Sequence, residues 1–255
     1  MKKNFILVIL IIALATISCQ SSPMAEKHSP MTEKASYDSL MPDPGQIKSS
    51  TLLIVVENIQ KTGVTLAYDM ATLVKVQNEN FLVTHNHWGD MLKDMNILEL
   101  RDADNKLIQL IYGSEFKSLI VYQDAGTMVL RAPEGLADSL TPASLDRATQ
   151  LKPGDTVQVT HHRQPNRDQV EILDAVVVDI SLSRDTPVYT LRSLNGESLQ
   201  PGDSGGGVWH NGKLVANTWT VITKYAVVDA AGTVDPASET LTELSHAAIF
   251  PQGFK

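Results

Sequence analysis

The sequence predicts an all-β protein made of two antiparallel units, and three observations support this prediction. From Thr51 onward, short runs of β-branched and aliphatic residues alternate with polar breaks such as QNEN and DADNK. No segment keeps the apolar spacing of a helix over three turns. One longer polar stretch, APEGLADSLTPASLDRATQLKPGD, divides the runs into two sets. Because many short strands leave exposed edges and closed barrels remove them, we expect each set to close into a barrel.

The two predicted units follow one another along the chain. The N-terminal unit spans residues 51–135 and the C-terminal unit residues 136–255, with a crossover at residues 132–154 that is too long for a simple turn. The strand runs of the first unit are TLLIVVENI, GVTLAY, ATLVKV, FLVTH, NILELRD, KLIQLIY, SLIVYQ and TMVLRA. Those of the second unit are TVQVTHH, VEILDAVVVDI, PVYTLRS, GGGVWH, KLVANTW, YAVVDA and HAAIF.

The N-terminus has the pattern of a secretory signal. Two lysines precede the apolar run Phe5–Leu14, which is too short to span a membrane, so residues 1–18 are predicted to be a signal peptide. The segment ATISC resembles a bacterial lipoprotein cleavage box, which would make Cys19 the lipidated first residue. Ordinary cleavage nearby, with an incidental cysteine, is the alternative. Residues 19–50 lack an apolar period and are predicted to be a flexible tether, which places the protein at an extracytoplasmic membrane face.

Charge and cysteine content exclude several classes of partner and bond. The formal charge is −8, and removal of the signal peptide takes away two lysines and no acids, which gives −10. An acidic chain without a basic run argues against nucleic acid or anionic lipid as a partner, so the lipid anchor is the only membrane contact expected. Cys19 is the only cysteine, so no internal disulfide can form.

The segment QPGDSGGGVWH contains four glycines around one Ser-Asp pair. Glycine costs conformational entropy, so its backbone must need special angles or a close approach. Either the segment is a tight turn, or Ser204 is a nucleophile surrounded by backbone N–H groups. A serine hydroxyl needs a base and a group that orients that base. His85 and His87 lie where the run FLVTH ends, and Asp124 lies between two apolar runs, where a carboxylate is costly unless it is hydrogen-bonded.

These segments together resemble the chymotrypsin-like serine proteases. PGDSGGGV resembles the nucleophile loop of that family, FLVTHNHW its TAAHC segment, and DAGTMVL its DIALL strand. The order of histidine, aspartate and serine is also that of the family. The resemblance extends from Thr51 to the C-terminus. It implies a trypsin-like fold of two six-stranded antiparallel barrels with the active site between them.

The resemblance implies an endopeptidase that works through an acyl-enzyme, acts on a protein or peptide, and needs no cofactor or metal. Ser204 would attack the peptide carbonyl, His87 would transfer the proton, and Asp124 would orient the imidazole. The N–H groups of Gly202 and Ser204 would form the oxyanion hole, in which one donor is worth about 3–4 kcal/mol.

The resemblance also indicates residues that contact substrate. Ser198, six residues before the serine, would form the floor of the specificity pocket, and a neutral floor argues against selection of arginine or lysine. The segment NTWT resembles the S-W-G segment of the family, so Thr218, Trp219 and Thr220 are predicted to lie beside the substrate backbone.

Several alternatives stay open at the level of the sequence. His85 rivals His87 as the base, because residues two apart in a strand face the same way. The competitors of Asp124 have turn-like surroundings; they are Asp90, Asp94, Asp102 and Asp104. His85, His87 and Asp124 could instead bind Zn²⁺ in a metal-dependent hydrolase, which would leave GDSGG unexplained. An inactive trypsin-like fold that binds peptides is the third class.

Asp203 lies beside the serine and raises the question of how the site is held together. In relatives activated by cleavage, this aspartate pairs with a new N-terminal ammonium near an IVGG segment, which this chain lacks. A buried carboxylate is costly without a partner, so we expect an internal cation and an enzyme that is active once folded. Solvation, or hydrogen bonds from loop N–H groups, is the alternative. The candidate cations are Arg163, Arg167, Arg184 and Arg192.

Overall fold

The structure, a computed structural model, describes most of the chain beyond residue 42. The described residues are 43–60, 63–88, 92–162, 169–183, 185–197, 199–223 and 244–250, without the side chains at 58–60, 63–65, 220–223 and 244. The predicted signal peptide, Cys19 and most of the predicted tether lie outside these residues. Within the described part of the chain, no helix is long and apolar enough to cross a membrane.

The N-terminal unit is one eight-stranded sheet. Its strands are β1 (Thr51–Gln60), β2 (Gly63–Val76), β3 (Glu79–Thr84), β4 (Ile97–Arg101), β5 (Leu107–Tyr112), β6 (Ile120–Gln123), β7 (Met128–Arg131) and β8 (Ala143–Ser144). Seven antiparallel strands run in the order β5-β4-β1-β2-β3-β7-β6, and β8 pairs with β2 in parallel. The alternating burial of β4 shows why its sequence, ILELR, forms a half-buried strand.

Closure of this unit into a six-stranded barrel is not confirmed. The sheet path of the described strands ends at β5 and β6. Helix α1 (Pro44–Ser50) lies before β1, and helix α2 (Gly113–Ser118) connects β5 to β6. Phe116 of α2 is buried in the core of the unit. The run GSEFKS is too short to show helical periodicity, so the sequence did not predict this helix.

The C-terminal unit is a closed six-stranded barrel, as predicted. Its strands are β9 (Thr156–His162), β10 (Val170–Ser183), β11 (Thr186–Ser193), β12 (Gly207–His210), β13 (Lys213–Thr223) and β14 (Leu244–Ile249). They pair in the order β10-β11-β14-β13-β12-β9 around the barrel, and β9 pairs again with β10. Side chains such as Val157, Tyr189 and Leu191 fill its interior. Closure gives every strand two neighbours and removes the exposed edges.

The end of the predicted tether is a helix and belongs to the folded domain. Helix α1 (Pro44–Ser50) begins after Asp43, whose side chain accepts a hydrogen bond from Gly45 N at 3.0 Å. Ile47 is fully buried in a cluster that includes Trp209. Residues 44–50 of the predicted tether are therefore helical, and Ile47 joins the packed core. A third short helix, α3 (Leu136–Ser139), lies in the predicted crossover.

Candidate active site

The Ser204 loop lies where the two units meet. The Ser204 carbonyl accepts a hydrogen bond from Met70 N of β2 at 2.8 Å. On the other side, Gly205 N donates to the Thr218 carbonyl of β13 at 2.9 Å, and Thr218 N donates to the Gly206 carbonyl at 2.8 Å. The loop is thus held by backbone bonds from both units, and Ser204 is 7% exposed.

Gly205 explains why the loop needs glycine. Its φ is +80°, and a Cβ there would lie 2.1 Å from the Met70 carbonyl oxygen and 2.4 Å from Thr84 Oγ1. The same Cβ would lie 3.0 Å from His85 N, so the loop passes directly against the segment after β3. The structure therefore brings the serine loop and the histidine segment together, and only glycine fits between them.

His85 is fixed in the wall of the site. Its Nδ1 lies 2.9 Å from the Gly126 carbonyl, and its ring packs 5.5 Å from that of Trp219. Asn217 Nδ2 donates to the same Gly126 carbonyl at 3.0 Å. Burial lowers the pKa of His85, while the Gly126 bond and the charge of Asp124 oppose that shift. His85 is a neutral, hydrogen-bonded wall residue in this arrangement.

His87 is the more exposed of the two histidines, with a side chain that is 31% exposed. Its ring lies 5.1 Å from that of His85 and 4.9 Å from that of Trp88. Burial, followed by the neighbouring His85, lowers its pKa from 6.5 to about 4. A neutral imidazole at physiological pH can accept a proton, which is what a general base requires.

Asp124 lies in a turn and holds that turn together. Its Oδ1 accepts hydrogen bonds from Gly126 N at 2.8 Å and Thr127 N at 2.7 Å, and its Oδ2 accepts from Tyr122 Oη at 2.7 Å. Desolvation, and then this bond to the Asp124 carboxylate, raises the pKa of Tyr122 to about 12. Among the ion pairs of the described residues, none joins Asp124 to His87. The structure gives the Asp124 carboxylate the contacts of a turn residue.

The carboxylate beside His87 is that of Asp69, which the sequence analysis did not single out. Asp69 Oδ2 lies 3.5 Å from His87 Nε2. The same oxygen accepts a hydrogen bond from Trp88 Nε1 and lies 3.4 Å from Thr84 Oγ1, whose proton is directed to the Met70 carbonyl. Asp69 is fully buried, and its Oδ1 has no hydrogen-bond partner. Burial is the main cause that raises its pKa well above 3.8, and the charge of Asp203 adds to it.

Asp69 could have been found by the reasoning that was applied to Asp124. It is a single acidic residue in the apolar run LAYDMATLV, where an unpaired carboxylate is costly. Its approach to His87, however, depends on the pairing of β2 with β3, which sets Ala71 opposite Thr84. The sequence does not specify that register.

Within the described residues, the partner of Asp203 is a histidine and not the expected arginine. Asp203 Oδ1 lies 2.9 Å from His162 Nδ1 and accepts from His162 N at 2.8 Å, while Oδ2 accepts from Gln200 N at 2.6 Å. Both side chains are 1% exposed. The predicted bonds from loop N–H groups are therefore also present. Arg192 is described elsewhere on β11, and the other three candidates, Arg163, Arg167 and Arg184, lie outside the described residues.

The predicted substrate residues have different surroundings. Thr218 is fully buried, and its hydroxyl, N–H and carbonyl already bond the serine loop. Trp219 is 7% exposed and packs on His85. Gly202 has a φ of +103°, which favours glycine. Ser198 and the side chain of Thr220 lie outside the described residues.

The described residues do not gather a metal-binding cluster. Within the described ranges there is no group of three or more His, Cys, Asp or Glu side chains placed to hold a metal ion. His85 also uses Nδ1 for the Gly126 carbonyl. The alternative of a zinc site at His85, His87 and Asp124 therefore has no geometric support in this part of the chain.

Solved structures match this fold. The HtrA-type protease AlgW, solved with a tripeptide, matches with a TM-score of 0.54 and 12% identity over 80% of this chain and 57% of its own chain. The Rv3671c protease from M. tuberculosis, in its active form, matches with a TM-score of 0.50 and 15% identity over 82% and 83% of the two chains. The chain has the fold of these serine proteases. At such low identity, the likeness is one of fold.

This chain spans a little over half of the AlgW chain. Neither a protein-family model nor a curated protein sequence matches the chain. The trypsin-like fold thus comes from structural likeness, and the chemistry must be argued from the residues of the site.

Proposed function

We propose that this chain is a serine endopeptidase. The observation that carries the proposal is the position of Ser204, whose loop is bonded to Met70 and fits against the segment that holds His85 and His87. A hydroxyl, an imidazole that is neutral at physiological pH and a glycine-rich backbone loop are the groups that acyl transfer needs. The likeness to two protease structures supports the same reaction class.

In the proposed reaction, Ser204 Oγ attacks the peptide carbonyl while His87 takes the hydroxyl proton. The N–H groups of Gly202 and Ser204 stabilise the oxyanion. The C–N bond then breaks as His87 gives its proton to the leaving amine, which leaves an acyl group on Ser204. Water, with His87 again as base, hydrolyses this ester and regenerates the serine.

The predicted substrate contacts belong to the same proposal. Trp219 packs on His85 beside the site, so its segment is placed to guide a peptide backbone. Ser198 stays the proposed pocket floor, and Thr220 the proposed continuation of the segment. A tripeptide is present in the AlgW structure, and we propose that this chain also takes an extended peptide.

The order of the motifs indicates Asp124 as the candidate group that orients His87. The hydrogen bonds of its carboxylate within its own turn weigh against that role. Asp124 therefore stays the candidate that the motif indicates.

We further propose that the mature chain is a lipoprotein on the extracytoplasmic side of a bacterial membrane. The support is the sequence alone: the apolar run, the segment ATISC and the polar residues that follow Cys19. Cys19→Ala should abolish incorporation of a radiolabelled fatty acid and partition into detergent. Unchanged partition of the variant would place the anchor elsewhere.

The protease proposal is tested with a fluorophosphonate probe, which phosphonylates an activated serine and releases fluoride. The wild type should be labelled, Ser204→Ala should not, and the control Ser193→Ala should be labelled like the wild type. Ser193 lies at the end of β11, and its hydroxyl donates to Asn195 Oδ1 at 2.6 Å. Peptide hydrolysis should follow the same pattern.

Two other outcomes would favour other functions. Hydrolysis that survives in Ser204→Ala but stops with a chelator would indicate a metal-dependent hydrolase. Peptide binding with neither labelling nor hydrolysis would indicate an inactive trypsin-like binding module. Either result would overturn the protease proposal.

A further inference from the structure

We propose that Asp69, rather than Asp124, is the carboxylate that positions His87 for proton transfer. This inference rests on the proposed function, because it assigns a role within the same reaction. Asp69 would be a positioning residue: it acts on the imidazole and does not contact the substrate.

The first support is contact. Asp69 Oδ2 lies 3.5 Å from His87 Nε2, and within the described residues this is the carboxylate that comes within 4.0 Å of the His87 ring. The distance is longer than a typical hydrogen bond, but catalytic hydrogen bonds are often long without substrate and shorten when it binds. Asp124, in contrast, has both oxygens engaged by the turn and by Tyr122.

The second support is the incomplete hydrogen bonding of Asp69. Its side chain is fully buried, yet Oδ1 has no partner. A carboxylate kept only to hold Trp88 and Thr84 would leave this oxygen at a cost, because buried polar atoms without partners destabilise the folded chain. Such a cost is typical of sites that perform chemistry.

The third support is the link between Asp69 and the nucleophile. The next residue along β2 is Met70, whose N–H donates to the Ser204 carbonyl. The Met70 carbonyl accepts from Thr84 Oγ1 at 2.6 Å, three residues before His87. One short stretch of β2 therefore fixes the serine loop and lies beside the histidine, so the positions of acid, base and nucleophile depend on the same strand.

The proton balance follows from this geometry. When Asp69 is ionised, it accepts the Nε2–H of His87, so the lone pair of the ring lies on Nδ1 and can take the Ser204 proton. The imidazolium that forms then lies beside a carboxylate, which stabilises it. When Asp69 is protonated, its O–H donates to Nε2, the ring proton lies on Nδ1, and His87 cannot act as base. Activity should therefore appear as the Asp69–His87 pair loses a proton.

Other titratable groups face this pair and must be considered in the pH profile. His85 packs against His87, and Asp203 lies close enough to Asp69 to raise its pKa. Asp203 is bonded to His162, and Asp124 acts on His85. The pair thus titrates with apparent values that belong to both groups.

The test compares Asp69→Asn with Asp124→Asn, the same substitution of the rival carboxylate, in peptide hydrolysis. Asparagine keeps an oxygen for Trp88 and Thr84 and removes the charge. For Asp69→Asn we expect kcat to fall by about a hundredfold or more with KM little changed. We also expect the acid limb of the profile to move toward the low pKa of His87 alone. The loss of kcat in Asp69→Asn should exceed the loss in Asp124→Asn, and the acid limb should move in Asp69→Asn alone.

A large loss in Asp124→Asn, with Asp69→Asn close to the wild type, would overturn the inference and leave the protease proposal intact. Equal losses of kcat in the two variants, with the acid limb of the pH profile unmoved, would also overturn the inference, because they would show a structural role only. Absence of fluorophosphonate labelling in the wild type would instead end the protease proposal. Should Asp69→Asn fail to fold, imidazole ¹⁵N shifts of the wild-type protein decide: the Nε2–H tautomer of His87 at the active pH is expected, and the Nδ1–H tautomer would overturn the inference.

Discussion

Asp203 and Asp69 are both buried acids beside a histidine, yet their oxygens are satisfied to different degrees. Asp203 receives bonds from His162 N, His162 Nδ1 and Gln200 N at 2.6–2.9 Å. Asp69 lies 3.5 Å from His87, and its Oδ1 has no partner. Burial raises the pKa of Asp69 well above its usual value.

Because of this difference, the Asp203–His162 pair and the Asp69–His87 pair are suited to different tasks. A carboxylate whose two oxygens are both hydrogen-bonded to neighbouring segments holds a loop in place. A carboxylate with few donors and a neighbouring imidazole responds to a change in charge, which is what proton transfer needs. The Asp203 pair therefore fixes the serine loop, and the Asp69 pair is the responsive one.

The largest expected effect is on stability in Asp203→Asn. The amide nitrogen would face an N–H donor, so a buried bond would be lost and a donor left unpaired. A buried donor that is left without its acceptor costs about 1–3 kcal/mol. We expect a loss of that size in the free energy of unfolding, measured by denaturant titration at pH 7. A loss of stability near that of an average surface substitution would show that Asp203 does not hold the serine loop in place.

The next largest effect is expected for a substitution of Gly205, which follows Ser204 in the serine loop. Gly205→Ala would place a Cβ 2.1 Å from the Met70 carbonyl, so the loop must move away from β2. The matched control is Gly135→Ala, which has a similar φ of +81° and open space around the new Cβ. The control should cost about 1–2 kcal/mol from backbone strain alone.

Gly205→Ala should cost more than this control and should also abolish fluorophosphonate labelling of Ser204, whereas Gly135→Ala should keep it. Equal losses of stability with labelling retained in both variants would show that the contact at Met70 does not hold the serine in place.

Asp69→Asn should have a smaller effect on stability, and of opposite sign. Because the folded pKa of Asp69 lies above 3.8, the folded chain binds more protons than the unfolded chain from pH 3.8 up to the raised value. The contribution of Asp69 to stability is therefore present below pH 3.8 and falls as the pH rises through this window. Asp69→Asn removes this fall in stability, because asparagine does not titrate. The pKa of His87, lowered from 6.5 to about 4, makes the contribution of His87 rise with pH between those values in both proteins.

Denaturant titrations of the wild type and Asp69→Asn between pH 4 and pH 8 measure this difference. The variant should gain stability relative to the wild type as the pH rises. A gap that is constant over the range would mean that the Asp69 carboxylate does not titrate in the window given by its raised pKa. Loss of activity together with a gain in stability is the trade-off expected of a functional site.

Much of the fold could be predicted from the sequence because strand runs are local. Residues of VEILDAVVVDI and PVYTLRS pair in the closed barrel. The helix that contains Phe116 could not be predicted, because it has too few residues to show a helical period. Ile47 was missed for a related reason: one apolar residue in a polar segment carries no pattern, and its burial depends on Trp209, distant in sequence.

The site was predictable where backbone geometry determines the residue type. The glycines around Ser204 gave the loop, and Gly205 shows why. Partners across strands were not predictable, because register decides them. The contact of Asp203 with His162 joins residues that are 41 apart in sequence, so it depends on the pairing of strands and not on a local pattern. Asp69 and Asp124 look alike in sequence, and the pairing of β2 with β3 distinguishes them.

The smallest expected effect is in Tyr122→Phe, which removes the hydroxyl that donates to Asp124 Oδ2 at 2.7 Å. The carboxylate keeps the N–H donors of Gly126 and Thr127, so the turn should persist and stability should fall by about 0.5–1.5 kcal/mol, the net value of one hydrogen bond. Tyr112→Phe is the control, because Tyr112 is 61% exposed at the end of β5. Peptide hydrolysis by both variants should stay within a few-fold of the wild type. A collapse of kcat in Tyr122→Phe alone would mean that Asp124 orients the base, and Asp69 would then be a buried acid with no part in proton transfer.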